Sequence, residues 1–530
     1  MYKFCCDIKQ REFSDRFDKL LNQLDKISAM SSLTGIKRGI EKESLRVGLD
    51  GYLSQRDHPK ALGSTLTHPY ITTDYSEALL ELITPPSSDP EEPVKFLHQI
   101  HQFVNQNIGD EFLWNASMPC MMTKEKDIPI AKYGNSNVGK QKYIYRVGLG
   151  KRYGKLMQTI AGVHYNFSLP EVFWKQLQQV EANTDDLKDY ISARYMGLIR
   201  NFLRYSWMLP FLFGASPGIC KSFVKGKHNL ESFNEGTLYG PNATSLRMGD
   251  MGYTNNAQSG LNISYNSLEE YACGLEQAIR TPEPLYEEIG VKVDGEYQQL
   301  STSLLQIENE YYANIRPKRV ARSGERPALA LRRGGVEYIE IRGLDINPFT
   351  ADGITNEQIR WIDSFLVTCL LLPSPDITTR EEGEIRENLH RAVNHGRTKG
   401  LTLLSMNRDI PLSEAGNIIS EKMLMVAKHM DKNWNTESYT ESVNHWQQCF
   451  DNPELTLSGQ FLQLMRDKGG YYQAARALSL SQKESLLRES LDTTTEEIFV
   501  NSAKQSLENQ QQLEQQPQQD FEEFIEKYYQ

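Results

Sequence analysis

The segment Gly39-Ile-Glu-Lys-Glu-Ser-Leu-Arg-Val47 narrows most what this chain can become. Its period-two alternation puts Glu41, Glu43, Leu45 and Val47 on one face of a strand, because successive strand side chains point to opposite sides. At a rise of ~3.3 Å per residue the two carboxylates stand ~6.6 Å apart, a spacing that holds two adjacent hard cations rather than one. A solvated strand face is the competing account, so the motif needs partners elsewhere in the chain.

Three further segments supply them. In Thr73-Asp-Tyr-Ser-Glu-Ala-Leu-Leu-Glu-Leu-Ile-Thr-Pro85, Glu81 sits inside an apolar run that reads as a buried strand, and a buried carboxylate is costly unless paired or metal-bound. A core arginine is the alternative partner. Asp74 precedes it in a β-rich approach, while Glu77 reads as easily as a solvated residue. The strand Gly162-Val-His-Tyr-Asn-Phe-Ser-Leu-Pro170 sets Val163, Tyr165, Phe167 and Leu169 against His164, Asn166 and Ser168, leaving His164 as a ligand or as a hydrogen-bonded residue. Gly335-Val-Glu-Tyr-Ile-Glu-Ile-Arg-Gly-Leu-Asp-Ile-Asn-Pro348 projects Tyr338, Glu340 and Arg342 on one side. A carboxylate beside a guanidinium suits phosphoryl transfer, where a metal ligand and a cation converge on the migrating group; a structural salt bridge is the plainer reading. His98 and His101, three apart on a polar helical segment, read as a solvated face.

A net charge of −11 over 530 residues argues against a nucleic-acid footprint, which concentrates Lys and Arg. ATP remains compatible where metal ions and a few placed arginines neutralise phosphates. The candidates are Ile315-Arg-Pro-Lys-Arg319 and Leu331-Arg-Arg-Gly-Gly335. The Walker-like stretch Gly134 to Lys140 ends in Gln141 where a Ser or Thr should ligate magnesium, so it reads as coincidence. Seven cysteines, odd in number and without a Cys-x-x-Cys pair, suggest reduced thiols and a cytoplasmic protein. Met1 to Phe17 lacks the apolar run of a signal peptide. The apolar stretch Phe365 to Leu372, closed by Pro373, is far short of the ~20 residues of a membrane span and is expected as a buried helix.

Strands and helices alternate from about Gly35 to Phe349, and the text is mostly helical after Asn356. The expected division is residues 1–33 as an N-terminal extension with a helix, 34–350 as the catalytic region, 351–505 as a helical region integrated with it, and 506–530 as a Gln-rich tail. Within that tail Asp520 and Glu523 form a cap pair, and Phe521, Phe524, Ile525 and Tyr528 make an apolar stripe able to dock on the body.

Together with Ala243-Thr-Ser-Leu-Arg-Met-Gly-Asp-Met-Gly-Tyr253 and Gln306-Ile-Glu-Asn-Glu-Tyr-Tyr312, the four strands resemble the signature segments of proteobacterial glutamate-cysteine ligase, from about Thr34 to about Val500. The resemblance implies an α+β, glutamine-synthetase-like fold: a six-stranded antiparallel sheet curved around a funnel-shaped site, with helices packed outside. It assigns one Mg2+ to Glu43, Asp74 and Glu81 and a second to Glu41, His164 and Glu340, with a third ion sharing some of these carboxylates and Mn2+ as a substitute. Arg247, Tyr253 and Tyr312 match holders of the cysteine carboxylate, Tyr145, Leu149 and Gln158 match its side-chain pocket, and Arg342 matches a residue facing the transferred phosphoryl, which leaves Arg342 and Glu340 as the catalytic pair.

The implied reaction joins L-cysteine to the γ-carboxylate of L-glutamate with ATP, through a γ-glutamyl phosphate, as the first step of glutathione biosynthesis. Partners are then small molecules, with feedback binding of glutathione, no nucleic acid and no membrane; a monomer is favoured. A related carboxylate-amine ligase using another amine, or a non-catalytic descendant of the fold, are the alternatives. The tail has no clear family counterpart and is expected to stay clear of the site.

Overall fold

The computed structural model describes residues 2–122, 124–249, 261, 263–322 and 324–530, with side chains from Ser14 onward. Its organising element is β1, Lys37–Val47, which contains the alternating segment Gly39 to Val47. Around it lie β2 (Ile71–Thr73), β3 (Leu79–Ile83), β4 (Phe112–Trp114), β5 (Val163–Ser168), β6 (Ile315–Lys318) and β7 (Tyr338–Leu344). They form one sheet in the order β6-β7-β5-β1-β3-β2, antiparallel throughout. This six-strand path is the one expected. β4 adds a seventh strand, pairing Leu45 to Val47 beyond the point where β5 leaves the same edge of β1.

Period two decides what each face carries. One face presents the charged set described below. The other buries Ile40, Leu80, Leu82, Tyr165, Phe167, Ile339 and Ile341 completely. Three helices matter before the C-terminal part: α1 (Tyr2–Lys26), α2 (Glu92–Asn107) and α3 (Asn137–Tyr153). α1 docks through buried Phe17, Leu21 and Leu24. Helix α4 (Asn356–Leu371) starts at a capping box formed by Thr355 and Gln358 and contains most of the apolar run read as a buried helix. Its Asp363 accepts from Arg38 Nε at 2.6 Å and from the Tyr165 hydroxyl at 2.6 Å, with both charged partners fully buried. Breaking such a buried pair costs about 3–5 kcal/mol, because the surviving charge has no partner.

β1 also sends charge to this back face. Lys42 Nζ donates to Ser44 Oγ at 3.0 Å and meets His101 Nε2 of α2 at 2.9 Å. Burial lowers its ammonium to about 7. His98 bridges Asp352 (3.1 Å) and Glu489 (2.9 Å). The two histidines are therefore not a solvated face: His101 is buried against β1, and His98 ties α2 to residues far along the chain. Their partners come from distant sequence, which helical spacing alone does not reveal. Glu77 is likewise buried, where it accepts from the backbone nitrogens of His58 and Lys132.

The C-terminal part wraps the sheet. Helices α5 (Leu412–Trp434) and α6 (Ser438–Asp451) pack on each other and on α4. Helix α7 (Tyr471–Arg488) packs on β4, where Tyr472 stacks on Trp114 with ring centroids 5.9 Å apart. Helix α8 (Thr493–Gln515) buries Phe499 among Tyr70, Phe96 and Phe103 and carries the Gln-rich stretch as regular helix to Gln515. α9 (Phe521–Tyr529) follows, with Asp520 Oδ1 accepting from the Glu522 and Glu523 nitrogens as its N-cap. Among the described residues no helix is long and apolar enough to cross a membrane.

Candidate active site

Register builds the site. β1–β3 pairing sets Glu43 opposite Glu81, β1–β5 pairing sets Glu41 opposite His164, and β7 sets Glu340 between Asn166 and Arg316. A register shift between Ile341 and Leu344 falls at Arg342, the kind of irregularity that re-aims a side chain beside a site. Glu41, Glu43, Glu81, His164, Arg316, Glu340 and Arg342, together with Asp74, line one cavity of about 510 Å³.

At its base His164 Nδ1 lies 3.1 Å from Glu41 Oε2 and 3.9 Å from Glu340 Oε1, while His164 Nε2 is 3.8 Å from Glu43 Oε1. Asn166 Nδ2 donates to Glu41 Oε1 at 2.9 Å, and the Gly162 nitrogen donates to Glu43 Oε2 at 2.7 Å. Arg342 Nη1 donates to Glu340 Oε1 at 3.1 Å, and Lys318 Nζ stands 3.5 Å from Glu340 Oε2.

The carboxylates divide into two electrostatic groups. Burial, with Asp74 and other acids adding to it, raises Glu43 and lifts Glu81 well above the usual range. Burial pushes Glu340 and Glu41 upward too, but Lys318, Arg342 and His164 hold Glu340 low and the His164 hydrogen bond holds Glu41 low. The Glu43 and Glu81 side of the cavity is thus short of positive charge, of the kind a bound cation would supply. The donors suit a hard divalent ion. Glu41, His164 and Glu340 offer ligand atoms all within 4.8 Å of one another, and Glu340 Oε2 is buried without a hydrogen-bond partner. The other trio, Glu43, Asp74 and Glu81, lines the same cavity but is not gathered into such a cluster.

The walls come from elsewhere in the chain. α3 starts at Ser136, whose Oγ accepts from the Gly139 nitrogen, and turns Lys142, Tyr145, Arg146 and Leu149 to the cavity at helical spacing. Gln158, from the short turn Met157–Thr159, is buried below them. Arg247 is 3% exposed; its Nη2 donates to the Arg342 carbonyl at 2.9 Å, and its Nε has no hydrogen-bond partner. A Cβ on Gly162 would stand 2.2 Å from Arg247 Nη2, so glycine there makes room for the guanidinium. The Tyr312 hydroxyl reaches Met248 Sδ at 3.5 Å on the same wall. Of the candidate site residues, only Tyr253 lies outside the described residues.

The two basic clusters part company. Arg316 and Lys318 line the cavity beside Glu340. Arg332 pairs with Glu269 and Glu276, and Arg333 with Glu325. Alternation along β6, in phase with Glu340, was the signal that separates them. The Walker-like stretch forms no phosphate loop: its helix start is occupied by the tail, with the Asn137 nitrogen donating to Gln518 Oε1 and Asn137 Nδ2 to the Gln519 carbonyl. The tail does not stay clear of the site, because Tyr528 lines the cavity. Its apolar stripe is what carries it there, and nothing in the sequence named the surface it meets.

An antiparallel sheet that gathers carboxylates, an imidazole and guanidinium groups on one face has the make-up of an enzyme of cation-assisted phosphoryl chemistry. The glutamate-cysteine ligase family model matches residues 21–392. The glutamate–cysteine ligase of Alcanivorax borkumensis is 49% identical over 527 residues, covering 98% of this chain and 99% of that protein. The enzyme of the same name from Saccharophagus degradans is 47% identical over 502 residues, 94% of this chain and 95% of that one. The crystal structure of glutamate–cysteine ligase from Francisella tularensis in complex with AMP is similar at a TM-score of 0.88 and 34% identity, covering 93% of this chain and 97% of that chain. The chain belongs to the glutamate-cysteine ligase family.

Proposed function

We propose that the cavity is where this ATP-dependent ligase joins L-cysteine to the γ-carboxylate of L-glutamate, giving γ-glutamylcysteine for glutathione synthesis. The observation that carries this placement is the convergence of Glu41, His164 and Glu340 within 4.8 Å, with Arg342 bonded to Glu340 alongside. Glu41, His164 and Glu340 would hold one Mg2+ and Glu43, Asp74 and Glu81 another, Mn2+ serving in its place. When bound, these ions neutralise phosphate oxygens and polarise the transferred phosphoryl.

The chain's own groups do the rest. The γ-carboxylate of glutamate attacks the terminal phosphorus of ATP, ADP leaves, and Arg342 follows charge onto the migrating group. Arg316 and Lys318, which face the same space, supply further positive charge to the polyphosphate. The cysteine amine then attacks the acyl phosphate, forming the amide and releasing phosphate. Arg247 and Tyr312 hold the cysteine carboxylate, with Tyr253 as third member of the clamp, while Tyr145, Leu149 and Gln158 enclose the thiol. Water exclusion matters because the acyl phosphate hydrolyses otherwise.

The test is incubation of purified protein with ATP, Mg2+, glutamate and cysteine, followed by product mass analysis. γ-Glutamylcysteine with stoichiometric ADP is expected. Product only with a different amine would replace this reading by the related carboxylate-amine ligase. Independently of turnover, Mn2+ titration followed by electron paramagnetic resonance should show weaker binding in Glu340→Gln and Glu41→Gln; parental affinity in both would remove those residues from the ion.

A further inference from the structure

Gln306 does not line the cavity, yet it is fully buried where elements that do line it meet. Its Oε1 accepts from the Leu300 nitrogen at 3.0 Å, and its Nε2 donates to the Tyr145 carbonyl at 3.3 Å. A single amide thereby joins α3 to the segment that leads to Tyr312. Its own backbone is held as well: the nitrogen donates to Glu310 Oε2 at 2.7 Å, and the carbonyl accepts from the Tyr529 hydroxyl of α9 at 2.6 Å. Glu310 Oε1 in turn accepts from the Tyr153 hydroxyl at 2.5 Å, a second tie to α3. The approach of α3 is close. A Cβ on Gly148 would stand 2.1 Å from Gln306 Oε1, so glycine there admits the amide against the helix.

The end of this side chain has to accept from one backbone group and donate to another. An ionised carboxylate cannot donate, and an apolar chain of the same length can do neither. The amide also links the two halves of the cysteine subsite, since Tyr145 and Leu149 of α3 enclose the thiol while Tyr312, further along the segment of Gln306, holds the carboxylate. We propose that Gln306 is a positioning residue for cysteine, fixing the separation between the thiol pocket on α3 and the carboxylate clamp, with the Tyr529 hydroxyl of α9 as its support. The proposal rests on the placement of cysteine given above. Loss of the amide contact leaves every group of the subsite present but frees one half to move against the other, which alters selectivity as well as affinity.

Two substitutions in the full-length protein break the contact from opposite sides. Gln306→Met keeps length and approximate volume but removes donor and acceptor, and Gly148→Ala drives a methyl into the space of Oε1 while favouring the helix. Both should raise the KM for cysteine roughly 2- to 10-fold, the range carried by one neutral hydrogen bond, with kcat and the KM values for ATP and glutamate near parental. Both should also narrow the preference for 2-aminobutyrate over norvaline, about 10- to 200-fold for one added methylene, by roughly threefold or more, because a pocket no longer tied to the clamp admits the longer chain. Tyr529→Phe should move both readouts the same way by a smaller factor, and parental behaviour would overturn the support assigned to α9. A lower melting temperature with selectivity unchanged, or a loss spread equally over all three substrates, would make Gln306 a structural residue only and overturn the proposal. Leu149→Ala reports on the underlying placement: it should itself relax the preference for 2-aminobutyrate. If it does not, the thiol pocket falls and the role of Gln306 with it, whereas a responsive Leu149→Ala with indifferent Gln306→Met and Gly148→Ala removes only the glutamine.

Discussion

Replacing Arg342 by lysine isolates what the guanidinium contributes beyond its charge. In the structure Arg342 Nη1 is engaged by Glu340 at 3.1 Å, while Nε has no hydrogen-bond partner and the side chain is 25% exposed toward the cavity. Burial opposes its charge, but Glu340, Glu43, Glu41 and Asp74 more than offset that, so the group stays cationic. A lysine keeps the charge and can satisfy Glu340 with its single nitrogen, yet it then has no second donor for the migrating phosphoryl. One charge-assisted hydrogen bond is worth ~1.5–3 kcal/mol, so kcat should fall roughly 10- to 150-fold. The KM for ATP should move by no more than ~3-fold, because the missing bond belongs to the transition state. Steady-state kinetics with coupled ADP detection, together with a melting curve showing an intact fold, makes the measurement. A raised KM for ATP with unchanged kcat would refute the reasoning and make Arg342 a ground-state binder.

Three further outcomes follow from particular contacts. Gly162→Ala places a methyl 2.2 Å from Arg247 Nη2, so the guanidinium must shift; the KM for cysteine should rise by about tenfold with kcat near parental, and an unchanged KM would separate Arg247 from cysteine. His98 is raised to about 9, chiefly by its bond to Asp352, so its contribution to stability is complete below its unfolded pKa of ~6.5 and is lost as pH rises through about 9. His98→Asn should therefore be less stable than the parent at pH 6 by ~1 kcal/mol or less, the side chain being 30% exposed, and the gap should close by pH 10 in denaturant titrations; a constant gap would sink this account. Among amine substrates, 2-aminobutyrate should be used within ~200-fold of cysteine and serine less well, since an apolar pocket discriminates weakly against a methyl but leaves a hydroxyl without a partner. Serine outperforming aminobutyrate in kcat/KM would overturn the pocket assigned to Tyr145 and Leu149.

The face of the sheet was legible because period two is rigid. Once Glu41 and Glu43 are on one side of β1, the side chains of β5 and β7 that join them follow from register, and His164, Glu340 and Arg342 arrive where the alternation put them. What stayed hidden depends on partners distant in sequence. His101 looked like a polar helix residue until β1 brought Lys42 against it. Arg332 and Arg333 looked as able to meet a triphosphate as Arg316 and Lys318, and of the four only the latter pair lines the cavity, Arg332 and Arg333 being paired with Glu276 and Glu325. The amphipathic stripe of α9 announced that it would dock but not where, since a stripe specifies an apolar partner and no address.

The buried cations behind the sheet bear on how β1 finds its place. Arg38 and Lys42 point to the back, where Asp363 and His101 receive them, while Glu41 and Glu43 point to the cavity. A slip of one residue in the pairing of β1 would exchange the faces, driving both glutamates in among Tyr165, Phe167 and the apolar residues of β7 and turning two cations into the cavity. In a strand marked only by apolar and neutral residues such a mispairing would cost some packing. Here every charged side chain would lose its partner at once, so the alternation that gathers the carboxylates in the cavity also makes the wrong register untenable before any ligand is present.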